Sequence, residues 1–367
     1  MAAPFPTTQQ ARSSGRADRA SHFDRPSRRG EYGRDWRGRP TLCLAERRQC
    51  DDALHALERG SRRRKPLLHW RVHPVKPLAT VSSARLDGLT SLRADFPNFT
   101  ETTDWLAAQL SLSLLGDTPI VRLPPVLLLG PPGVGKTLFV SRLAEVLDLD
   151  WTEVACPSVT ASWVLSGNDP SWNEAKPGRV AQLLQESRHV NPLMLLDEVD
   201  KLGGDSRFTP VDVLHGLLEP DSAKRFRDEL LGLDLDASHI SWICTANSLE
   251  PLPESIVSRL KVIRTAPPTA VQRRAVARSV WRRVLQEHAA TWGERFGPDL
   301  GEAVAQRLAD SPLEPRAIRR PLVEACGRVA RRVAARDGCC VRYRLRPDDI
   351  VVDGAKPERR PIGFVTE

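Results

Sequence analysis

The run Gly130-Pro131-Pro132-Gly133-Val134-Gly135-Lys136-Thr137 follows the short apolar stretch Val126-Leu127-Leu128-Leu129. It has the spacing GxxxxGK[ST]. Glycines at these positions let a backbone wrap closely around phosphates, and a helix starting at the lysine adds positive potential from its free N–H groups. Lys136 would then reach the β- and γ-phosphates of ATP, and the Thr137 hydroxyl would ligate Mg²⁺. A second apolar stretch, Leu193-Met194-Leu195-Leu196, ends in Asp197-Glu198. Carboxylates at the end of a buried strand are costly without a purpose. Asp197 is read as the second holder of Mg²⁺, directly or through water, and Glu198 as the base that polarises the attacking water. Asn247 directly follows the apolar stretch His239–Ala246, where a polar side chain can position that water. Arg259, in Glu254-Ser-Ile-Val-Ser-Arg259-Leu260, has two readings: a surface ion pair, or an arginine finger delivered to a neighbouring subunit. Such a finger contributes about 10³–10⁵ in rate.

These residues need a scaffold that brings strand ends together. Short apolar strands are expected at Val126–Leu129, Trp151–Ala155, Leu193–Leu196, His239–Ala246 and Lys261–Arg264. Helices are expected to start near Lys136, Gly178, Pro210 and Glu254. Alternation of this kind implies a mostly parallel sheet covered on both faces, an α/β fold of the P-loop NTPase type. Beyond Pro267-Pro268 the pattern becomes helical, at 269–289, 298–310 and 314–336, which predicts a second, small all-α domain. A short strand is expected around Val341–Leu345. Before the first strand, Thr102-Thr103-Asp104 offers helix N-cap residues ahead of Trp105, and Leu106, Leu110 and Leu114 recur at helical spacing.

The run from Ile243 through Asn247 and Arg259 to Ile263, together with Gly130–Thr137 and Leu195–Leu202, resembles the ATPase module of Lon proteases, an AAA+ module, over about residues 96 to 350. That resemblance implies a sensor-2 arginine that opens a helix in the lid and touches the γ-phosphate. Arg316 in Glu314-Pro-Arg-Ala-Ile-Arg319 is the best match, with Arg319 or Arg320 as alternatives. It implies a hexameric ring and a first pore loop that carries an aromatic residue followed by an aliphatic one. Gly167–Gly178 aligns with that loop without gaps and puts Trp172 on the aromatic position. A large flat side chain suits non-specific contact with polypeptide; the other reading is a loop residue folded under its own turn. Asn173 departs from the aliphatic partner. Lon proteases also carry a Ser–Lys peptidase domain after the lid. Here about 30 residues follow Arg336, fewer than a domain's usual minimum of about 50, so no intrinsic peptidase is expected and a separate one could be a partner.

The 367 residues carry a net charge of +8, unevenly spread. Residues 1–76 hold 18 Lys/Arg against 8 Asp/Glu, whereas the rest is close to neutral. The chain is accordingly divided into a basic, disordered segment 1–76, a linker and lead-in helix 77–120, the AAA+ α/β nucleotide-binding domain 121–267, the helical lid 268–338 and a C-terminal tail 339–367. The basic segment reads as a solvated tail, as an over-extended start of the reading frame, or as an arm that binds nucleic acid electrostatically. The seven cysteines contain no CxxC pair, which argues against zinc and fits reduced thiols in the cytoplasm. No apolar run approaches the roughly 20 residues of a membrane span, and Met1–Gln10 does not read as a secretory signal.

Three functions are weighed. The leading one is an ATP-hydrolysing, ring-forming remodeller of proteins. The second is a nucleic-acid-associated AAA+ switch or loader that uses the basic segment. The third is a module that binds ATP only to assemble, against which Glu198 argues, since a scaffold has no need of a base.

Overall fold

The computed structural model describes residues 26–58, 61–159, 161–202, 209–334 and 342–352. Its first elements correct the expectation of disorder for the described part of residues 1–76; residues 1–25 lie outside the described residues. Strands β1 (Tyr32–Arg34), β2 (Pro40–Cys43) and β3 (Val75–Pro77) form an antiparallel sheet in that order. Helices α1 (Arg47–His55) and α2 (Arg64–Val72) are inserted between β2 and β3. The segment has few apolar residues, but Leu42, Leu44, Cys50, Leu67 and Trp70 are all fully buried in the main core of the protein. Several of its cations are engaged inside the molecule. Arg29 pairs with Asp234, Arg71 with Asp51, and Lys76 Nζ donates to the carbonyls of Leu184, Gln185 and Ser187 at 2.7–2.8 Å.

Two helices lead into the central sheet. Helix α3 (Ser83–Asp95) is capped by the Ser82 side chain, which accepts from the Arg85 N–H. Helix α4 (Thr100–Ser113) begins earlier than Thr102-Thr103-Asp104 suggested. Thr102 and Thr103 are buried in its first turns, and Leu114 lies just past its end, exposed.

The central sheet and its helices follow as β4 (Val126–Leu129), α5 (Lys136–Val146), β5 (Trp151–Ala155), α6 (Trp163–Ser166), α7 (Arg179–Glu186), β6 (Leu193–Asp197), α8 (Pro210–Leu218), α9 (Pro220–Ala223), a hairpin of β7 (Phe226–Asp228) and β8 (Leu233–Leu235), β9 (Ser241–Ala246), α10 (Glu254–Val257) and β10 (Lys261–Arg264). Strands pair in the order β10-β4-β9-β6-β5, all parallel. The inner strands β4, β6 and β9 each serve two cores, because neighbouring side chains point to opposite faces. Leu127 and Leu129 of β4, Met194 and Leu196 of β6 and Trp242 and Cys244 of β9 face the core shared with α7, α8 and the N-terminal unit. Val126, Leu128, Leu193, Leu195 and Ile243 face the opposite core with α3, α4 and α5. Both faces are covered, as an all-parallel sheet requires. Strand β9 begins at Ser241, not His239. His239 is instead buried at its entrance, with Nε2 2.9 Å from the Tyr32 hydroxyl.

Helices α11 (Ala270–Glu287), α12 (Glu302–Ala309) and α13 (Arg319–Ala334) enclose a separate core around Trp281, Val304, Leu308, Leu322 and Ala325. A capping box between Thr269 and Gln272 starts α11. The strand expected at Val341–Leu345 is reduced to a single bridge between Tyr343 and Phe296; Cys339, Cys340 and Val341 lie outside the described residues. Among the described residues, no helix is long and apolar enough to cross a membrane.

Candidate nucleotide site

Register puts the chemistry at one edge of the sheet. Leu129 pairs with Ala246, so Gly130 and Asn247 leave their strands side by side, and Leu196 pairs with Cys244, so Asp197 ends β6 level with Thr245. This is the carboxyl edge of a parallel sheet, where α/β proteins place ligands. Gly130 N donates to Ala246 O at 3.1 Å. A side chain at Gly130 would run into the Thr265 carbonyl, so the loop can leave the strand here only as glycine. Gly135 caps α5 with φ +99°, a left-handed conformation that favours glycine, and Lys136 is the first residue of the helix.

A cleft of about 900 Å³ opens between this edge and the lid. Pro132 to Thr137, Asp197, Glu198 and Asn247 line it from the sheet side, and Arg316 and Arg319 from the lid side. Gly130 and Pro131 lie behind it and present their carbonyls to Lys136 Nζ at 2.6 and 3.1 Å. The same ammonium donates to Asn247 Oδ1 at 2.9 Å. Burial lowers the Lys136 pKa, and the carboxylates of Asp197, Asp200 and Glu198 push it back up. The lysine is thus a buried cation among carboxylates, held by groups that phosphate oxygens could replace.

Thr137 Oγ1 donates to Asp197, 3.1 Å from both carboxylate oxygens. A hydroxyl beside a carboxylate is a hard-oxygen donor set of the kind Mg²⁺ takes when phosphates and water fill its remaining positions. These two residues therefore fit that ion. Glu198 has φ +56° and ψ +51°, a left-handed conformation uncommon outside glycine and often found at functional sites. Its carboxylate accepts from Lys201 Nζ at 2.8 Å.

Three further residues, not singled out from the sequence, complete the edge. Thr245 has no exposed surface; its hydroxyl donates to Asp197 Oδ1 at 2.5 Å and accepts from the Glu198 N–H at 2.9 Å. Asp200 accepts from the backbone N–H groups of Asn247 and Ser248, at 3.0 and 3.3 Å, and so fixes where Asn247 leaves β9. Glu153 lines the cleft, its pKa raised by burial and then by Asp197. A signal for Thr245 was present: it is a polar residue inside the apolar stretch Ile243–Ala246, and a buried hydroxyl needs a partner.

Residues 126–268 match the family model described as ATPase family associated with various cellular activities (AAA). The chain carries an AAA domain. The chain is similar to Lon proteases over part of its length. It is 33% identical to the Lon protease of Ureaplasma parvum over 168 residues, which is 46% of this chain and 21% of the relative. The Lon protease of Mycolicibacterium smegmatis is 36% identical over 152 residues, 41% of this chain and 20% of the relative. That of Citrifermentans bemidjiense is 28% identical over 287 residues, 72% of this chain and 36% of the relative. The chain thus spans about a fifth to a third of the length of these relatives.

Two of the residues singled out from the sequence lie away from the AAA domain's cleft. Arg259, just past α10, donates to Ser255 O at 2.6 Å and sits 3.8 Å from a Glu219 oxygen. Trp172 is half exposed on the loop between α6 and α7, packed edge-on against Trp163 with ring centroids 5.1 Å apart. Of the alternatives to Arg316 in the lid, Arg319 lines the cleft and pairs with Glu287, whereas Arg320 pairs with Glu324 outside it.

Proposed function

We propose that the cleft hydrolyses ATP and that the free energy drives remodelling of polypeptides by a ring of these chains. The observation that carries the hydrolytic reading is the convergence of Lys136, Thr137, Asp197, Glu198 and Asn247 from three strand ends, opposite Arg316 of the lid.

The roles follow from chemistry. The loop's backbone and Lys136 hold the β- and γ-phosphates. The apolar part of the cleft's lining, which includes Phe96, Val134, Val276 and Val280, would receive the adenine ring. Glu198 takes a proton from water while Asn247 orients it. The water oxygen bonds to the γ-phosphorus as the bond to the β–γ bridging oxygen breaks, which releases phosphate and ADP. Arg316 neutralises charge on the γ-phosphoryl group from the lid, so turnover changes the lid's attachment to the sheet. Thr137 and Asp197 would hold Mg²⁺, which supplies charge neutralisation on the phosphate oxygens. Arg259 would complete the site of a neighbouring chain in a hexamer, and Trp172 would contact polypeptide.

Purified protein should hydrolyse ATP in magnesium buffer. Glu198→Gln should retain nucleotide binding, followed with a fluorescent ATP analogue, and lose turnover by at least about 100-fold, the scale of a missing general base. Turnover near the wild-type rate in that variant overturns the assignment. Casein, as an unfolded polypeptide, should stimulate hydrolysis, and Trp172→Ala should abolish the stimulation. Absence of any stimulation in wild type would leave an ATPase but remove the remodelling reading.

A further inference from the structure

The loop that carries Trp172 is fixed at its base. Asp228 of β7 is fully buried and accepts from the N–H of Gly178 at 2.8 Å and from that of Leu231 at 2.9 Å. Gly178 closes the loop against Leu165 O and Gly167 N so tightly that no side chain fits there. Glu229 N donates to Ser166 O at 2.8 Å. One carboxylate and one backbone bond thus join both ends of the loop to the β7–β8 hairpin. Between these ends the loop makes its own bonds. Asn168 N donates to Lys176 O, and Trp172 N to Asp169 O, each at 3.1 Å. The turn of the loop is also held from outside. Arg62, which precedes α2 in the N-terminal unit, donates from Nη1 to the Asn173 carbonyl at 2.7 Å. The adjacent Arg63 donates from Nη2 to Leu231 O, in the turn of the same hairpin, at 3.2 Å.

We propose that Arg62 is a positioning residue that ties the N-terminal unit to the Trp172 loop and thereby sets how that loop engages polypeptide. The inference rests on the polypeptide reading given above. Two neighbouring arginines address two neighbouring structures, the loop's turn and the hairpin that clamps its base. A guanidinium to a carbonyl is a charge-assisted bond, stronger than a neutral one. It uses the backbone of Asn173, so it does not depend on the side chain at the position after the aromatic residue. With the base clamped by Asp228, the remaining freedom of the loop is a swing of its turn, and Arg62 sits where that swing is stopped. Through this contact the N-terminal unit carries a lever on Trp172.

The test uses the full chain with Arg62→Ala and Arg62→Lys. Hydrogen exchange of backbone amides in 168–177 should quicken in Arg62→Ala by roughly 10- to 150-fold, the equivalent of one lost hydrogen bond to a charged group. Exchange in 64–77 should match wild type, and Arg62→Lys should restore much of the protection. The ratio of casein-stimulated to unstimulated ATP hydrolysis should change in Arg62→Ala and recover in Arg62→Lys. Unchanged exchange in 168–177 overturns the tether. Equal quickening in 64–77 also overturns it, because Arg62 would then act on the stability of the N-terminal unit. Faster loop exchange with an unaltered casein response removes the functional link. A wild-type protein that ignores casein breaks the polypeptide reading alone, since the exchange arm still reports on the tether.

Discussion

Thr245 has no surface exposed to solvent, and its hydroxyl serves two groups at once. It donates to the Asp197 carboxylate and accepts the N–H of Glu198, whose backbone is held in the left-handed region. The Asp197 carboxylate and the Glu198 backbone therefore share one buried anchor. Thr245→Val keeps the shape of the side chain and removes the hydroxyl. The Glu198 N–H loses its acceptor and Asp197 one of its donors, leaving Thr137 to hold it. Leaving a buried polar group unpaired costs about 1–3 kcal/mol, so the variant should unfold at correspondingly lower denaturant. It should also lose ATP turnover by more than its loss of nucleotide binding, since the groups it misplaces act on the water and the metal ion. Stability and turnover equal to wild type would show that Asp197 and Glu198 hold their positions without Thr245.

Most elements of the central sheet follow from local pattern, and the N-terminal unit does not. Four apolar residues in a row at Val126–Leu129, then glycines, then a helix, leave little choice for how the chain must turn. Strands Trp151–Ala155 and Lys261–Arg264 likewise form within the limits that alternation and flanking turns suggest. Helix α2 shows the opposite case. It opens after Arg62-Arg63, carries Arg64 and Lys65 in its first turn where positive charge is unfavourable, and buries only Leu67 and Trp70. No local preference selects that helix; the shared core does. The same holds for the hairpin β7–β8, whose three-residue strands gain their meaning from Asp228 and the loop it clamps. Within the site, Lys136, Thr137, Asp197 and Glu198 were legible because motif spacing marks them, whereas Glu153, which also lines the cleft, was not. Thr245 and Asp200 were passed over because their work is to hold other residues, although Thr245 stands out as a polar residue in an apolar stretch. If tertiary burial makes the N-terminal unit, its loss should be felt by the whole sheet. Trp70→Ala should cost about 3–5 kcal/mol, as large aromatic deletions do. Denaturant unfolding followed by far-UV circular dichroism should shift as one transition. A separate early transition, with the remainder unfolding as in wild type, would mean that residues 26–77 form an independent unit.

At the scale of the whole molecule, the decisive residue is the one that does not reach its own cleft. Arg259 is partly exposed, bonded to the backbone of Ser255 and near Glu219, and contributes nothing to the lining around Lys136 and Glu198. If Arg259 serves catalysis from there, it acts on another copy of the chain, through a head-to-tail contact of the kind that can close into a ring. This makes a prediction that no single chain can satisfy. Arg259→Ala alone should lose ATP turnover by about 10³-fold or more if it is a finger, and Glu198→Gln alone should be inactive. In mixed assemblies made by co-expression, a Glu198→Gln subunit can lend its intact Arg259 to a neighbour that carries Arg259→Ala and a working Glu198. With equal amounts and random order, about a quarter of the sites should regain both parts, and activity should rise to that fraction of wild type. Each variant must also be shown by gel filtration to assemble as wild type does. If mixing gives no more than the sum of the two inactive proteins, Arg259 acts within its own chain or only on structure, and the shared site fails. Recovery near the expected quarter ties the residue, the cleft and the assembly into one catalytic arrangement.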